Sequence, residues 1–307
     1  MKSSTFSFTD HDGIDIFVYK WAPEGNAKAV LQIAHGMAEH AARYARPAEV
    51  FVNAGYVVYA NDHRGHNKTT KDLEKKGQLG PGGWESMVKD IKQLTDIIKK
   101  ENPSLPVFLL GHSAGSFLAQ EYIQQYGNEL KGAILSGTNG FMPKLILALG
   151  KMIAKGDVKK LGPNAPGVKM DKNTFGKYNK LFEPAKTKFD WLSRDEVEVK
   201  KYVDDPWCGF VCPTSFFVEL LTGLSTIWKK ANEAKIPKDL PIYMFSGTQD
   251  PVGNNTKGVI KLFNRYQKLG IKDVTKKFYE GGHHEMFNET NRDEVYKDVV
   301  QWLDAHL

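Results

Sequence analysis

Along the first 138 residues, short β-rich apolar runs alternate with longer stretches in which apolar positions recur every three or four residues. The runs are "DIFVYKWAP", "AKAVLQIAH", "YVVYAND", "PVFLLGH" and "KGAILSG", and their length and composition predict strands. Residues 42–54, "WESMVKDIKQLTDIIKKENP" and "SAGSFLAQEYIQQYG" carry the helical period. In the second of these, Trp84, Met87, Val88, Ile91, Leu94, Ile97 and Ile98 fall on one face, and Pro103 lies just past its end. Strands that are apolar throughout, separated by helices, predict an α/β fold with a mostly parallel central sheet covered on both faces.

The alternation stops near residue 138 and resumes with "PIYMFSGTQD" at 241, followed by the helix "TKGVIKLFNRYQKLG", the strand "DVTKKFYE" and a final helix ending "QWLDAHL". Between them lie helical and loop-like stretches, among them "MPKLILALGKMIAKGDVKK", the break "GPNAPG" and "TSFFVELLTGLSTIWKKAN". The expected organisation is therefore one core, residues 1–138 and 231–307, interrupted by a helical cap or lid, residues 139–230. Open α/β sheets bind ligands at the C-terminal ends of their strands, and the cap is expected to cover that edge.

Charge follows the same division. Residues 139–230 hold 16 Lys/Arg against 10 Asp/Glu, and the remainder holds 26 of each, so the net charge of +6 belongs to the cap. Its first helical stretch places Phe141, Leu145, Ile146, Leu149, Met152 and Ile153 at helical spacing beside Lys144, Lys151 and Lys155. Such a helix can line an acyl tunnel, pack on its neighbours, or make transient contact with an anionic membrane surface. The N-terminus lacks the apolar core of a signal peptide, and no apolar run approaches the roughly 20 residues of a membrane span, so a soluble cytoplasmic protein is expected. Cys208 and Cys212 are read as packing residues rather than a disulfide framework. Nothing in the sequence bears on the oligomeric state.

The strongest chemical signal is Gly111-His112-Ser113-Ala114-Gly115, set where an apolar strand becomes a helix. That is the context of a nucleophile elbow, in which a strained turn exposes a serine and crowding demands small flanking residues. Gly-x-Ser-x-Gly arises by chance in roughly one chain in ten of this length, so its partners decide the matter. A serine hydroxyl needs a base and an orienting acid, expected downstream in the order Ser, Asp or Glu, His. Asp250 ends "YMFSGTQD", and His283 and His284 stand in "FYEGGHHEMFNE" between the last strand and the last helix. Spacing does not separate the two histidines. The oxyanion donors would be the backbone N–H of Ala114 and that of Met37, in the loop opened by His35-Gly36.

Other chemistries lack their patterns. The histidine pairs His35/His40, His63/His66 and His283/His284 show no His-Glu-x-x-His spacing and no Cys/His cluster, so no metal is expected. No glycine-rich phosphate loop follows a strand, so neither a nucleotide cofactor nor a nucleic-acid partner is expected.

With these residues in place, the chain resembles the α/β-hydrolase superfamily, and within it the monoacylglycerol lipase and lysophospholipase group of serine hydrolases, related to S33-type aminopeptidases. The resemblance rests on "HGMAEHAARY" at 35–44, "DHRGH" at 62–66, "GHSAG" at 111–115, "GTQDPV" at 247–252 and "GGHHEMFNE" at 281–289. It selects His284, which is followed by Glu285, as the catalytic histidine and Met37 and Ala114 as oxyanion donors. Glu39 and Arg43 match positions that shape the polar end of the acyl pocket, which implies either direct substrate contact or, as the alternatives, an internal ion pair or a solvated loop, and His112 and Phe287 are further candidates. The chain departs from the group at Asn67 and Thr69, where Gly and Ser are frequent, and at Phe287, where animal monoacylglycerol lipases are polar.

The resemblance implies an α/β-hydrolase fold and hydrolysis of a lipid-like carboxylic ester through an acyl-enzyme. Short-chain or aryl esterase and thioesterase activities use the same residues. An aminopeptidase would need cap acids for a substrate ammonium, for which Asp195, Glu196, Asp204 and Asp205 are available. Haloalkane and epoxide hydrolases normally use an Asp nucleophile, which Ser113 disfavours. A non-catalytic ligand-binding module on the same fold is the remaining reading.

Overall fold

A computed structural model describes residues 1–307. Eight strands form one sheet: β1 (Lys2–Thr9), β2 (Asp15–Ala22), β3 (Ala29–Ala34), β4 (Tyr56–Asn61), β5 (Val107–His112), β6 (Gly132–Ser136), β7 (Ile242–Gly247) and β8 (Val274–Tyr279). Their spatial order is β1-β2-β4-β3-β5-β6-β7-β8. The β1–β2 and β2–β4 pairings are antiparallel, and every pairing from β4 to β8 is parallel.

Strands β3 to β7 are buried along their full length, which is why they read as unbroken apolar runs. At one edge, β8 alternates less and exposes Thr275 and Lys276. β1, at the other edge, was not among the expected strands. Its apolar content is Phe6 and Phe8 alone, and it forms because β2 offers a complete antiparallel partner.

Helices close both faces. On one, Trp84, Met87, Val88 and Ile91 of the helix Gly83–Glu101 pack with Phe117 and Leu118 of the helix Ala114–Tyr126. On the other, Phe51 and Val52 of the helix Ala45–Asn53 meet Tyr296, Val299 and Trp302 of the helix Arg292–Ala305.

The segment between β6 and β7 adds no strand to the sheet. Its principal helices are Lys144–Leu161, Val168–Thr174, Glu196–Asp204 and Thr214–Ile227. The last is the anchor: Phe216, Phe217, Leu220 and Leu224 join the apolar cluster of the core, and Gly223 lies directly against the indole of Trp84. No helix is long and apolar enough to cross a membrane.

Candidate active site

The chain passes from β5 into the helix Ala114–Tyr126 through a single residue, Ser113, whose backbone sits at φ 53°, ψ −120°. Few non-glycine residues adopt this conformation, which costs of order 1–3 kcal/mol and persists only where the surroundings enforce it. Here the Ser113 N–H donates to the Ser136 carbonyl of β6 at 2.9 Å, and the Ser116 hydroxyl donates to the Ser113 carbonyl at 2.6 Å. The flanking glycines are a steric requirement. A Cβ on Gly111 would stand 2.3 Å from the Gly115 carbonyl oxygen, and one on Gly115 would stand 2.1 Å from that of Ala34.

Asp250 follows β7 and is wholly buried. Its Oδ1 meets His284 Nδ1 at 2.9 Å and accepts the Val252 N–H at 2.9 Å, while its Oδ2 accepts the Ser246 hydroxyl at 2.9 Å. The carboxylate is thereby aimed at the imidazole. Burial alone would lower the His284 pKa, but the charge and hydrogen bond of Asp250 outweigh it and raise it above the ordinary 6.5. His284 Nε2 is buried and has no hydrogen-bond partner, and both His284 and Ser113 line the same cavity. His283, the alternative, is directed elsewhere: its ring Nδ1 lies 2.8 Å from the Asp190 carbonyl, and its ring packs on Phe182 with centroids 4.0 Å apart.

Gly137 brings the imidazole close to the sheet. It follows β6 at φ +56°, and a Cβ there would come within 2.8 Å of His284 Cε1. Sequence reading missed this glycine, whose only signal was its place after the strand in "AILSG".

The loop after β3 supplies backbone donors. The Met37 N–H has no partner within the protein, and Ala114, as the first residue of its helix, leaves its N–H unpaired by the helix ladder. Gly36 donates its N–H to Glu39 Oε1 at 2.6 Å, which tightens the turn around Met37. Below it, three histidines serve as neutral hydrogen-bonding groups. His35 Nε2 accepts the His63 N–H at 2.9 Å, and His66 Nε2 accepts the Ala38 N–H at 3.3 Å. Burial lowers their pKa values, to about 3 for His63 and about 4 for His66, and the ring nitrogens that accept these bonds are committed to the loop. "DHRGH" thus braces the loop after β3 that carries Met37, a role the sequence did not signal. Asp62 and Thr69 belong to the same frame, accepting from Ala41 N–H and Phe17 N–H, both at 2.9 Å.

The expected substrate contacts divide. Glu39 and His112 line the cavity that holds Ser113; Arg43 and Phe287 do not. Arg43 lies between two carboxylates, with Nη1 at 2.6 Å from Glu39 and Nη1 and Nη2 each at 2.7 Å from Glu285. Burial would raise the Glu285 carboxyl, but Arg43 outweighs it and holds the pKa down at about 2. A guanidinium so engaged has its fork spent on protein partners, which is the internal ion pair, the alternative to substrate contact that the sequence left open. Phe287 as a candidate substrate contact is corrected: it packs between Phe51, Phe245 and Tyr296 in the core. His112 sits 4.8 Å from His284, centroid to centroid. Burial, with His284 beside it, lowers its pKa to about 4, so it remains neutral at physiological pH.

The cavity measures about 810 Å³ and is lined mostly by apolar side chains. Ser113, Ala114, Met37 and His284 line it from the core, and Ile146, Leu149 and Ile153 of the helix Lys144–Leu161 line it from the cap, facing Leu220, Leu221 and Leu224. The four cap acids considered for an aminopeptidase are absent from its lining: Asp195 pairs with Arg292, Glu196 with Lys186, Asp204 with Lys200 and Asp205 with His40. Cys208 and Cys212 are free, buried thiols whose pKa values burial pushes up. The Cys208 thiol lies within 4.8 Å of donors on His40 and Asp205. The 2.9 Å bond of His40 Nε2 to Asp205 makes that group a clamp between cap and core.

Comparison with known proteins places this geometry. The profile of the family described as serine aminopeptidase, S33, matches residues 25–291. A monoacylglycerol lipase of Mycolicibacterium smegmatis is 30% identical over 99% of this chain and 98% of its own. The phospholipase YtpA of Bacillus subtilis is 28% identical over 91% of this chain and 96% of its own. The crystal structure of a highly thermostable carboxyl esterase from Bacillus coagulans in complex with glycerol superposes with a TM-score of 0.91, at 30% identity, covering 99% of each chain.

Proposed function

This chain belongs to the serine aminopeptidase S33 family, and on that premise we propose that Ser113, His284 and Asp250 act as nucleophile, base and orienting acid in the hydrolysis of a monoacylglycerol. The protein is a carboxylic ester hydrolase of lipid-like substrates. The observation that carries the proposed roles is the buried Asp250–His284 pair at the wall of a large apolar cavity that also holds the strained Ser113.

In the proposed reaction the Ser113 hydroxyl attacks the ester carbonyl while His284 Nε2 takes its proton. Asp250 keeps the other ring nitrogen protonated and stabilises the imidazolium that forms. The carbonyl oxygen, now negative, lies between the N–H groups of Met37 and Ala114. One such donor is worth about 3–4 kcal/mol of barrier. His284 then returns its proton to the departing glycerol oxygen, and a water repeats the sequence to free the fatty acid. The acyl chain occupies the apolar length of the cavity.

A lysophospholipid is the competing substrate. It is favoured by Lys188, which lines the cavity and would meet a phosphate. Residues 139–230 form the cap in this reading. Their helix Lys144–Leu161 would touch an anionic lipid surface, since Leu145 and Met152 stand 79% and 65% exposed among its lysines. The free thiols suit a reducing compartment, and we place the protein in the cytoplasm.

The deciding experiment replaces Ser113 by Ala and measures hydrolysis of monoacylglycerol and lysophosphatidylcholine alongside fluorophosphonate labelling. The expected result is a folded protein with neither turnover nor label; undiminished turnover refutes the nucleophile. Faster cleavage of lysophosphatidylcholine by the unaltered protein would favour the second substrate.

A further inference from the structure

The loop that carries His284 is held by the cap. The His284 N–H donates to the Trp191 carbonyl at 3.3 Å, and the Glu285 N–H donates to the Leu192 carbonyl at 2.7 Å. One residue earlier, the His283 ring Nδ1 meets the Asp190 carbonyl at 2.8 Å. Three consecutive cap residues thus engage three consecutive residues of the histidine loop. The Trp191 indole lies against the His284 imidazole, with centroids 5.1 Å apart and planes inclined by 37°.

Trp191 is positioned in turn by residues of the cavity. Its backbone N–H donates to Asn179 Oδ1 at 3.0 Å. Its ring stacks on Phe175, with centroids 6.2 Å apart, and receives the edge of Tyr178 at 5.0 Å. Phe175, Tyr178, Asn179 and Trp191 all line the cavity that holds Ser113. A ligand that fills the cavity therefore touches the groups that hold the ring against His284.

We propose that Trp191 is a positioning residue for His284, and that through it the filling of the cavity by the acyl chain is coupled to the competence of the base. The inference rests on the assignment of Ser113, His284 and Asp250 made above. Its physical basis is twofold. The imidazole gains a positive charge as it takes the serine proton, and an aromatic face within about 6 Å attracts that charge. An acyl chain packed on Phe175 and Tyr178 restricts the indole, so binding energy from a remote part of the substrate is realised at the reacting centre. Chain length should then act on kcat as well as on KM.

The titratable groups around His284 are Asp250 after β7, Glu39 after β3, His112 at the end of β5, Glu285 and His283 on its own loop, and Tyr178 of the cap. Trp191 carries no charge, so replacing it leaves this set unchanged.

The test compares Trp191→Leu and Trp191→Phe with the unaltered protein, using fluorophosphonate labelling of Ser113 to count folded sites. Each is assayed with esters of increasing acyl length and over a range of pH. For Trp191→Leu we expect about a tenfold loss of kcat on long-chain esters, a flattened dependence of kcat on chain length, and an acid limb of kcat/KM displaced to lower pH. Trp191→Phe should recover most of each. An acid limb that stays in place or rises would overturn the proposal, because a ring that merely shields His284 admits water on removal and eases its protonation. So would an unchanged dependence of kcat on chain length. If Ser113→Ala retains turnover, the underlying assignment fails whatever Trp191 does. If Ser113→Ala is inactive while Trp191→Leu behaves as the unaltered protein, the coupling alone is refuted.

Discussion

In β3 to β7 every residue is buried, whereas in the 18-residue cap helix Lys144–Leu161 only Leu147 and Ala154 are. The same residue types behave differently in the two places. Leu109 and Leu110 of β5 are wholly enclosed, while Leu145 and Leu149 of the cap helix are 79% and 51% exposed. Large apolar side chains left in water and rimmed by lysines are the feature on which the proposed contact with an anionic lipid surface rests. The core fixes Ser113, Asp250 and His284, the groups proposed to react, through crowding and buried hydrogen bonds. The cap packs on the sheet's helices through its helix Thr214–Ile227, and elsewhere meets the core at single points, such as Trp191 against His284 and the Tyr202 hydroxyl donating to the Ala38 carbonyl.

The contrast is sharpest at the reacting centre, where the largest effect is expected. Asp250→Asn keeps the shape of the site but lets the amide donate to Nδ1, which favours the wrong tautomer of His284. It should lower kcat by about four orders of magnitude with little change in the melting temperature. Because Asp250 is what raises His284 above 6.5, the acid limb of kcat/KM should lie above that value in the unaltered protein. Activity is lost as pH falls through the raised pKa, since the protonated imidazole takes no second proton. A limb at or below 6.5 would remove Asp250 as the dominant influence.

A paired substitution tests packing in the two regions. Gly115→Ala places a Cβ 2.1 Å from a backbone oxygen that cannot retreat, and should cost about 3 kcal/mol of stability, read as a shift in denaturant midpoint. The same change at Gly156, inside the cap helix with nothing within 4 Å, should stabilise the protein by about 0.5–1 kcal/mol through helix propensity. Equal effects at both sites would break the distinction between crowded core and open cap.

The smallest effect on stability is expected at the cap surface. Leu145→Ser together with Met152→Ser should move stability by no more than about 0.5 kcal/mol per site. Binding to anionic vesicles should nevertheless weaken clearly, and added salt should weaken it further. Vesicle binding indifferent to both changes would leave the helix as an ordinary part of the cap.

Much of this was legible in the chain before folding was considered. Unbroken apolar runs mark β3 to β7 because a strand covered on both faces tolerates no polar alternation. The strained turn at Ser113 was legible because its steric demand falls on neighbours in sequence, Gly111 and Gly115, and the order Ser113, Asp250, His284 of the proposed triad followed from the order of the strands that carry them. β1 was not legible, since its pairing depends on a partner rather than on its own apolar content.

Tertiary structure decided what each remaining side chain faces. For Arg43 the sequence left substrate contact and an internal ion pair open, and the fold engages it with Glu39 and Glu285; Phe287, a candidate substrate contact, packs in an aromatic core. His35, His63 and His66, for which the sequence suggested no role, brace the loop after β3. Trp191 lies 93 residues from His284 along the chain and touches it only because the cap folds back over the sheet. By itself the sequence determined the strained serine turn and the proposed triad order, because close packing around such a turn restricts adjacent residues and leaves a local pattern. Which side chains form the cavity and hold the base was left to the folded chain, because those contacts join distant segments and impose no spacing on either.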